Sequence, residues 1–307
     1  VKRRRGRENR RRASVSSARG ETDARRRFSA RKRFAQHFLT SVWAEKVVAA
    51  IDPQPGDAFL EIGPGTGSIT LPLAATGAPI VAVELDRDLV RLLTERVPAN
   101  VTVIGADFLD LDPVPVLRGL EPQRLPGALE SGRSPFRFRA VGNLPYNVAS
   151  RIVLRLVEFH RRQPFFADAT VMLQREVADR LLGRPGTKHY GVLTILTTLH
   201  AQVTRLLDLP PGAFLPRPKV HSTVVRLAFG APAARVTDER RFERMVKMMF
   251  SQRRKTLGNA LKGFHRQAAP ALRQAGLDPR RRPETLQVTE IARLAETFAA
   301  IDRLPML

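Results

Sequence analysis

Apolar and polar positions along this chain alternate with three different rhythms. Residues 1–30, beginning VKRRRGRENRRRASVSSARG, offer almost nothing to bury and read as a disordered basic tail. From RKRFAQHFL onward the pattern becomes globular, and SVWAEKVVAAI repeats its apolar positions at helical spacing. DAFLEIG reads as a first strand, with GPGTGSITLPLAATG turning into a helix. PIVAVELD is a second strand, DLVRLLTERV a helix, and NVTVIGADFLD a third strand. Residues 113–135, rich in Pro and Gly, look like a long connection. FRFRAVGNLPY is a fourth strand before the helical SRIVLRLVEFHRR, and DATVMLQREVADRLL a fifth strand feeding a helix. YGVLTILTTLHAQ is helical by length despite its β-branched residues, and QVTRLLDLPP and KVHSTVVRLAF are two late strands. After about residue 232 only helical periods remain, in ERRFERMVKMMFSQ, RKTLGNALKGF, PALRQAG and TEIARLAETFAAI. Alternating strands and helices indicate a parallel α/β sheet covered on both faces, followed by a small helical domain.

Charge changes this picture. The net charge is +23 over 307 residues. Residues 1–33 hold 15 Lys or Arg against 3 acidic residues, and the other 274 hold 37 against 26. Tail and body are both basic, which favours a polyanionic partner, above all the phosphate backbone of nucleic acid. No apolar run approaches the length of a bilayer crossing, so no membrane partner is expected. The chain has no cysteine, which excludes disulfides, thiolate zinc sites, cysteine-ligated iron–sulfur clusters and a cysteine nucleophile. Its six histidines are scattered, with no pair at metal spacing, so no catalytic metal is expected.

Candidate chemistry sits at the strand ends. In EIGPGTG, Gly63, Gly65 and Gly67 follow the first strand, where glycines let backbone approach a ligand and leave amide N–H groups open at a helix start. Ser68 stands where the dinucleotide fingerprint has its third glycine. Glu84 ends the second strand about 20 residues further on, where a doubly wound fold holds a ribose diol. Asp107, in GADF after the third strand, can accept a hydrogen bond from an adenine amino group. Each acid alone reads more simply as a solvated loop carboxylate. Together, at successive strand ends, they imply an adenosine-bearing ligand, and the glycine spacing favours S-adenosylmethionine over NAD.

The fourth strand runs into Asn143, Leu144, Pro145 and Tyr146. An exocyclic amine on a nucleobase is a poor nucleophile because its lone pair is delocalised into the ring. The Asn143 side-chain oxygen and the Leu144 carbonyl could hold both amine hydrogens and aim the lone pair at a methyl group. Pro145 stiffens that turn, and Tyr146 offers a ring face for an unstacked base. The competing reading is a tight turn with Tyr146 capping the core.

RKRFAQHFL, EIGPGTG, VELD, GADF, NLPYN, FLPRPKVHSTVVRL and QRRKTLGNAL together resemble the small-subunit ribosomal RNA adenine dimethyltransferases, in that family's order and over roughly residues 31–290. The resemblance implies a Rossmann-like class I methyltransferase sheet, mostly parallel with its last strand antiparallel, over 31–231. It further implies a small all-helical RNA-binding domain over 232–307. The implied activity is transfer of two methyl groups to N6 of each of two adjacent adenosines near the 3′ end of small-subunit (16S) rRNA, in a cytoplasmic monomer acting on the pre-30S subunit. His37, Leu39, Gly63, Gly65, Glu84, Asp107 and Asn143 are implied contacts of S-adenosylmethionine. Asn143, Leu144, Pro145 and Tyr146 are the implied catalytic motif, with Phe214 a second aromatic on the target base. Read from the sequence alone, Phe214 is equally a core aromatic before a Pro-rich turn.

Most relatives carry asparagine where His37 stands, so what carries over there is a backbone contact. The 113–137 connection is longer than usual in the family, and the tail before Arg31 lies outside the shared pattern. Arg31, Lys32 and Arg33, and Arg253, Arg254 and Lys255, are expected to meet rRNA phosphates, with Arg280 to Arg282 a further basic cluster. Three other readings share parts of the pattern: a large-subunit rRNA adenine methyltransferase of the macrolide-resistance type, a non-catalytic RNA-binding assembly or transcription factor, and a DNA adenine methyltransferase. The last usually carries proline where Leu144 stands.

Overall fold

A computed structural model describes residues 37–120 and 137–303. The expected basic tail with Arg31, Lys32 and Arg33, and most of the expected long connection, lie outside the described residues. From Phe38 onward the chain forms one compact unit.

Its strands and helices, in chain order, are β1 (Phe38–Leu39), α1 (Ser41–Ile51), β2 (Asp57–Ile62), α2 (Thr70–Ala74), β3 (Ile80–Glu84), α3 (Arg87–Thr94), β4 (Val101–Gly105), α4 (Val114–Arg118) and β5 (Arg137–Asn143). There follow α5 (Ala149–Arg162), β6 (Phe166–Gln174), α6 (Arg175–Leu181), α7 (Val192–Thr198), β7 (Ala201–Leu209), β8 (Phe214–Leu215) and β9 (Ser222–Phe229). The chain ends in α8 (Glu239–Ser251), α9 (Leu257–Ala260), α10 (Ala268–Gln274) and α11 (Val288–Arg303).

Seven strands form one sheet in the order β4-β3-β2-β5-β6-β9-β7. All neighbours are parallel except β9, which runs antiparallel to both β6 and β7. The order reverses between β2 and β5, so their carboxyl ends open a crevice where doubly wound folds bind ligands. Every residue of β2 is buried, as expected of a central strand covered on both faces. Its side chains alternate between faces: Ala58, Leu60 and Ile62 join the cluster that includes α5, and Phe59 joins Val47 and Ile51 of α1. A third cluster, built from α8, α10 and α11, also takes in Tyr190 and Ile195 from around α7.

Two expectations are corrected by the fold, and one pairing was not anticipated. The stretch from 113 is not all surface connection, because α4 forms within it and buries Leu117 completely; Pro115 in its first turn favours that start. RKTLGNALKGF yields only the short α9. Finally, β1 and β8 pair antiparallel as a separate two-stranded sheet, with Phe38 opposite Leu215 and Leu39 opposite Phe214. Two residues are too few to declare themselves by periodicity.

Candidate active site

The turn after β2 needs its glycines. Gly63, Gly65 and Gly67 have φ of 69°, 60° and 88°, in the left-handed region that favours glycine. A Cβ on Gly65 would lie 2.9 Å from the Phe38 ring, and one on Gly67 2.8 Å from Leu93 Cδ1. A Cβ on Gly63 would sit 3.7 Å from the Asn143 carbonyl and 3.9 Å from Pro145 Cδ, so the glycine turn and the Asn-Leu-Pro-Tyr turn face each other. Glu84 ties this turn to the end of β3: its Oε2 accepts from the Gly65 N–H at 3.0 Å and its Oε1 from the Asp86 N–H at 3.0 Å. Burial pushes the Glu84 pKa up, and the N–H donors of Asp86, Gly65 and Leu85 pull against it. With three N–H donors on its four lone pairs, the carboxylate keeps one acceptor position for a diol.

The neighbouring pieces are stitched to the same edge. Ser68 Oγ donates to the Leu39 carbonyl at 3.3 Å. The Ala106 N–H donates to the Glu84 carbonyl at 3.0 Å, which sets half-buried Asp107 one residue beyond the end of that contact. Asp107 Oδ1 accepts from the Leu109 N–H at 2.9 Å. Leu85, the first residue beyond the wholly buried β3, is 52% exposed.

At the end of β5, a Cβ on Gly142 would lie 2.4 Å from the Ile62 carbonyl, so only glycine lets β2 and β5 close up beside the turn. Asn143 pairs with Met172 of β6 and is half-buried. The Leu144 N–H donates to the Met172 carbonyl at 3.1 Å, its side chain is buried in the core, and its carbonyl makes no hydrogen bond among the described residues. The Val148 N–H closes the turn onto the Pro145 carbonyl at 3.1 Å. Tyr146 is half-buried, with its hydroxyl 2.9 Å from Ser222 Oγ. Burial raises the Tyr146 pKa, and the Ser222 bond offsets part of that. Ser222 is fully buried at the start of β9, opposite both Gln174 and Leu209, so the tyrosine hydroxyl is anchored to the sheet.

Leu39, Gly63, Gly65, Glu84, Asn143, Leu144 and Pro145 thus converge on one edge, with Asp107 on the adjoining strand end. Phe214 is placed otherwise. Its ring is fully buried in the cluster with Leu39, Val141 and Met172, and presents no open face. His37, the first of the described residues, is half-buried.

Arg253 also differs from a free phosphate contact: it donates to the Lys188 carbonyl at 2.7 Å and the Thr187 carbonyl at 2.8 Å. Arg254 and Lys255 are exposed. Of the other cluster, Arg280 pairs with Asp278 at 3.3 Å and Arg281 with Glu290 at 2.6 Å.

A model of the ribosomal RNA adenine dimethylase family matches residues 27–300. The chain belongs to the ribosomal RNA adenine dimethylase family. It is 40% identical over 271 residues to the ribosomal RNA small subunit methyltransferase A of Acinetobacter baylyi, covering 87% of this chain and 92% of the relative. It is also 40% identical over 275 residues to the protein of that name from an Anaeromyxobacter species, covering 88% and 93%. Among solved structures, a dimethyladenosine transferase from Plasmodium falciparum shares the fold with a TM-score of 0.64, at 22% identity over 86% of this chain and 98% of that one. The 23S rRNA methyltransferase ErmE superposes with a TM-score of 0.57, at 25% identity over 85% and 99%.

Three residues beside these turns were not singled out by the sequence: Leu85, Ser222 and Glu61. The only signal for Leu85 was an apolar residue beyond a strand end, and nothing local marks Ser222 as a partner of Tyr146. Glu61 lies on β2 two residues before Gly63. It is 1% exposed, and its Oε2 and the fully buried Thr70 hydroxyl both lack a hydrogen-bond partner among the described residues. Burial pushes the Glu61 pKa up from 4.5 to about 7; the nearby Thr70 hydroxyl opposes the shift, and the charge of Glu84 adds to it. A folded-state pKa above the unfolded one means that ionisation costs stability. The cost is absent below about pH 4.5, grows as pH rises toward 7 and is complete above it. A shift of that size corresponds to about 3 kcal/mol. Glu61→Gln is therefore expected to raise Tm at pH 8 while leaving it nearly unchanged at pH 4.5. Parallel Tm–pH curves for the two proteins would show that Glu61 carries its charge without penalty.

Proposed function

We propose that this enzyme uses S-adenosylmethionine to dimethylate N6 of two adjacent adenosines near the 3′ end of small-subunit rRNA, on the precursor small subunit. The observation that carries the reading is the approach of Gly63 to Asn143 and Pro145 while Gly65 is held by Glu84. A donor-binding turn and an amine-holding turn then share one crevice.

The residues fit the donor. The glycine turn presents backbone without side chains, packed tightly against Phe38, Leu93 and the Asn143 carbonyl, and Glu84 presents a carboxylate suited to a ribose diol. Asp107 suits an adenine amino group, exposed Leu85 an adenine face, and the backbone at His37 and Leu39 the remaining contacts. When bound, the donor supplies an electrophilic methyl group on a sulfonium.

The chain's own residues do the rest. In the first transfer Asn143 Oδ1 and the Leu144 carbonyl accept the two hydrogens of the target amine and turn its lone pair toward the methyl group. The alkylated nitrogen then gives up one proton to solvent. In the second transfer one of the two acceptors holds the remaining hydrogen, which is lost in the same way. This is positioning catalysis, in which the reacting atoms are held in line and no covalent intermediate with the protein is needed. Pro145 keeps the acceptors fixed. Tyr146, anchored by Ser222, offers the ring face for the unstacked base. A stacking role for Phe214 requires its ring to leave the core, so in this reading it supports β8 and β1 in the absence of RNA. The division into a methyltransferase domain over 31–231 and a helical RNA-binding domain over 232–307 is part of the same proposal. A separate helical core supports it, with Tyr190 and Ile195 packing from the sheet side of that boundary.

The test is incubation of the protein with labelled S-adenosylmethionine and small subunits from a strain lacking these methyl groups, then nucleoside mass spectrometry. N6,N6-dimethyladenosine is expected in the 3′-terminal rRNA fragment. No methyl transfer there, or transfer only to large-subunit RNA, overturns the reading.

A further inference from the structure

Arg253 sits among cations expected to meet RNA, yet its guanidinium is committed to the protein. Its two terminal nitrogens donate to the carbonyls of Thr187 and Lys188, and its Nε lies 3.9 Å from the Glu284 carboxylate. A planar fork that caps two consecutive carbonyls fixes the orientation of that peptide segment in a way a lysine cannot.

The segment it holds is the 183–190 loop between α6 and α7. This loop is tight: Thr187 Oγ1 donates to the Arg184 carbonyl at 2.7 Å, and a Cβ on Gly183 would lie 2.9 Å from the backbone of His189 and Tyr190. It is also stitched to the C-terminal helical part. The Gly186 N–H donates to the Glu284 carbonyl at 2.7 Å, and the Tyr190 hydroxyl to the Leu286 carbonyl at 2.7 Å. The start of α9 joins the same seam, with the Leu257 N–H on the Arg281 carbonyl at 2.8 Å and the Gly258 N–H on the Pro279 carbonyl at 3.0 Å.

Three segments therefore meet, and each carries exposed cations. Arg184 and Lys188 on the loop, Arg254 and Lys255 before α9, and Arg282 beyond it are exposed and in no ion pair among the described residues. The nearby carboxylates are occupied or enclosed: Asp278 by Arg280, Glu290 by Arg281, and Glu284 within the seam at 18% side-chain exposure. Such a face is complementary to a phosphate backbone and to little else.

We infer that Arg253 is a latch and not itself a phosphate contact, and that the loop it holds grips RNA phosphates through Arg184 and Lys188. The inference rests on the proposed reading that this protein binds rRNA.

The experiment measures binding of full-length protein to under-methylated small subunits across a salt series. Removing one phosphate-binding cation flattens the slope of log K against log salt by about 0.7–0.9. Arg184→Ala with Lys188→Ala is expected to flatten it by about 1.5 and to weaken binding about 17-fold near 0.15 M salt, with Tm unchanged. Arg253→Met is expected to flatten the slope similarly and to speed amide exchange at 184–189, with Arg253→Lys recovering little. Adding Arg253→Met to the double variant should then flatten the slope no further. An additional full increment means that Arg253 contacts phosphate itself, which overturns the latch. A double variant that binds like wild type overturns the loop's role while leaving the underlying reading intact. Absence of salt-dependent binding by the wild-type protein means that the underlying reading has failed.

Discussion

Asn143→Ala is expected to slow adenosine methylation by about 100- to 1,000-fold, the scale on which removing one positioned hydrogen-bonding group from a reacting centre is felt. The proposed chemistry asks very little of the protein beyond geometry. A delocalised amine must offer its lone pair out of the ring plane, and two acceptors that hold its hydrogens enforce that shape. Alanine at 143 removes one of them and leaves the Leu144 carbonyl. The backbone should hardly respond, because Asn143 is pinned by its pairing with Met172, and Gly142 is pressed against Ile62. The loss should therefore appear in single-turnover kcat. Donor binding should weaken much less, since the Asn143 backbone carbonyl beside Gly63 is retained in the variant. Affinity for the ribosomal subunit should stay near wild type, because phosphate contacts far from the amine dominate it. Wild-type single-turnover dimethylation by this variant would remove Asn143 from the chemistry.

What the sequence revealed of this site, and what it hid, follows from how local each signal is. The end of a parallel strand, a glycine turn and an acid about 20 residues on are short-range patterns. Gly63, Gly65, Glu84 and Asp107 could therefore be located at successive strand ends before any contact was known. Contacts between distant segments leave no such trace. Tyr146 and Ser222 are 76 residues apart, and nothing in either stretch announces their 2.9 Å hydrogen bond. Phe214 precedes a Pro-rich turn that suits an exposed platform and a buried anchor equally, and the pairing of β8 with β1 decides for burial in this structure. Charge is the least legible signal. A run such as Arg253, Arg254 and Lys255 reads as three equivalent cations, whereas the fold gives Arg253 two carbonyls and leaves its neighbours to solvent.

FRFRAVG shows the same limit inside the sheet, and there the expected effect is the largest on stability. Its alternation places Arg137 and Arg139 on one face of β5, as if both looked outward. Arg137 does, but Arg139 is 1% exposed. Its Nε donates to both oxygens of Asp168 at 2.9 and 3.1 Å, and one terminal nitrogen donates to Asp57 at 2.7 Å. The terminal nitrogens also reach the carbonyls of Asp52 at 3.0 Å and Ile51 at 2.7 Å, at the carboxyl end of α1 where the helix dipole favours a cation. One guanidinium thus joins three strands to a helix. It does so four residues before Asn143 on β5, towards the opposite end of the strand. Arg139→Met is expected to cost about 3–5 kcal/mol, because it leaves Asp57 and Asp168 buried without their cation. Arg137, 3.7 Å from Asp57 and 3.4 Å from Asp168, offsets part of the loss. Most of the penalty is the stranded negative charge and not the missing bonds. Adding Asp57→Asn and Asp168→Asn to Arg139→Met should therefore recover a large share of the stability, although the triple variant has fewer ion pairs than the single one. Denaturant unfolding of the wild-type, single and triple proteins measures this directly. A triple variant no more stable than Arg139→Met would mean that the hydrogen bonds to the α1 carbonyls, and not the charge balance, hold this end of the sheet.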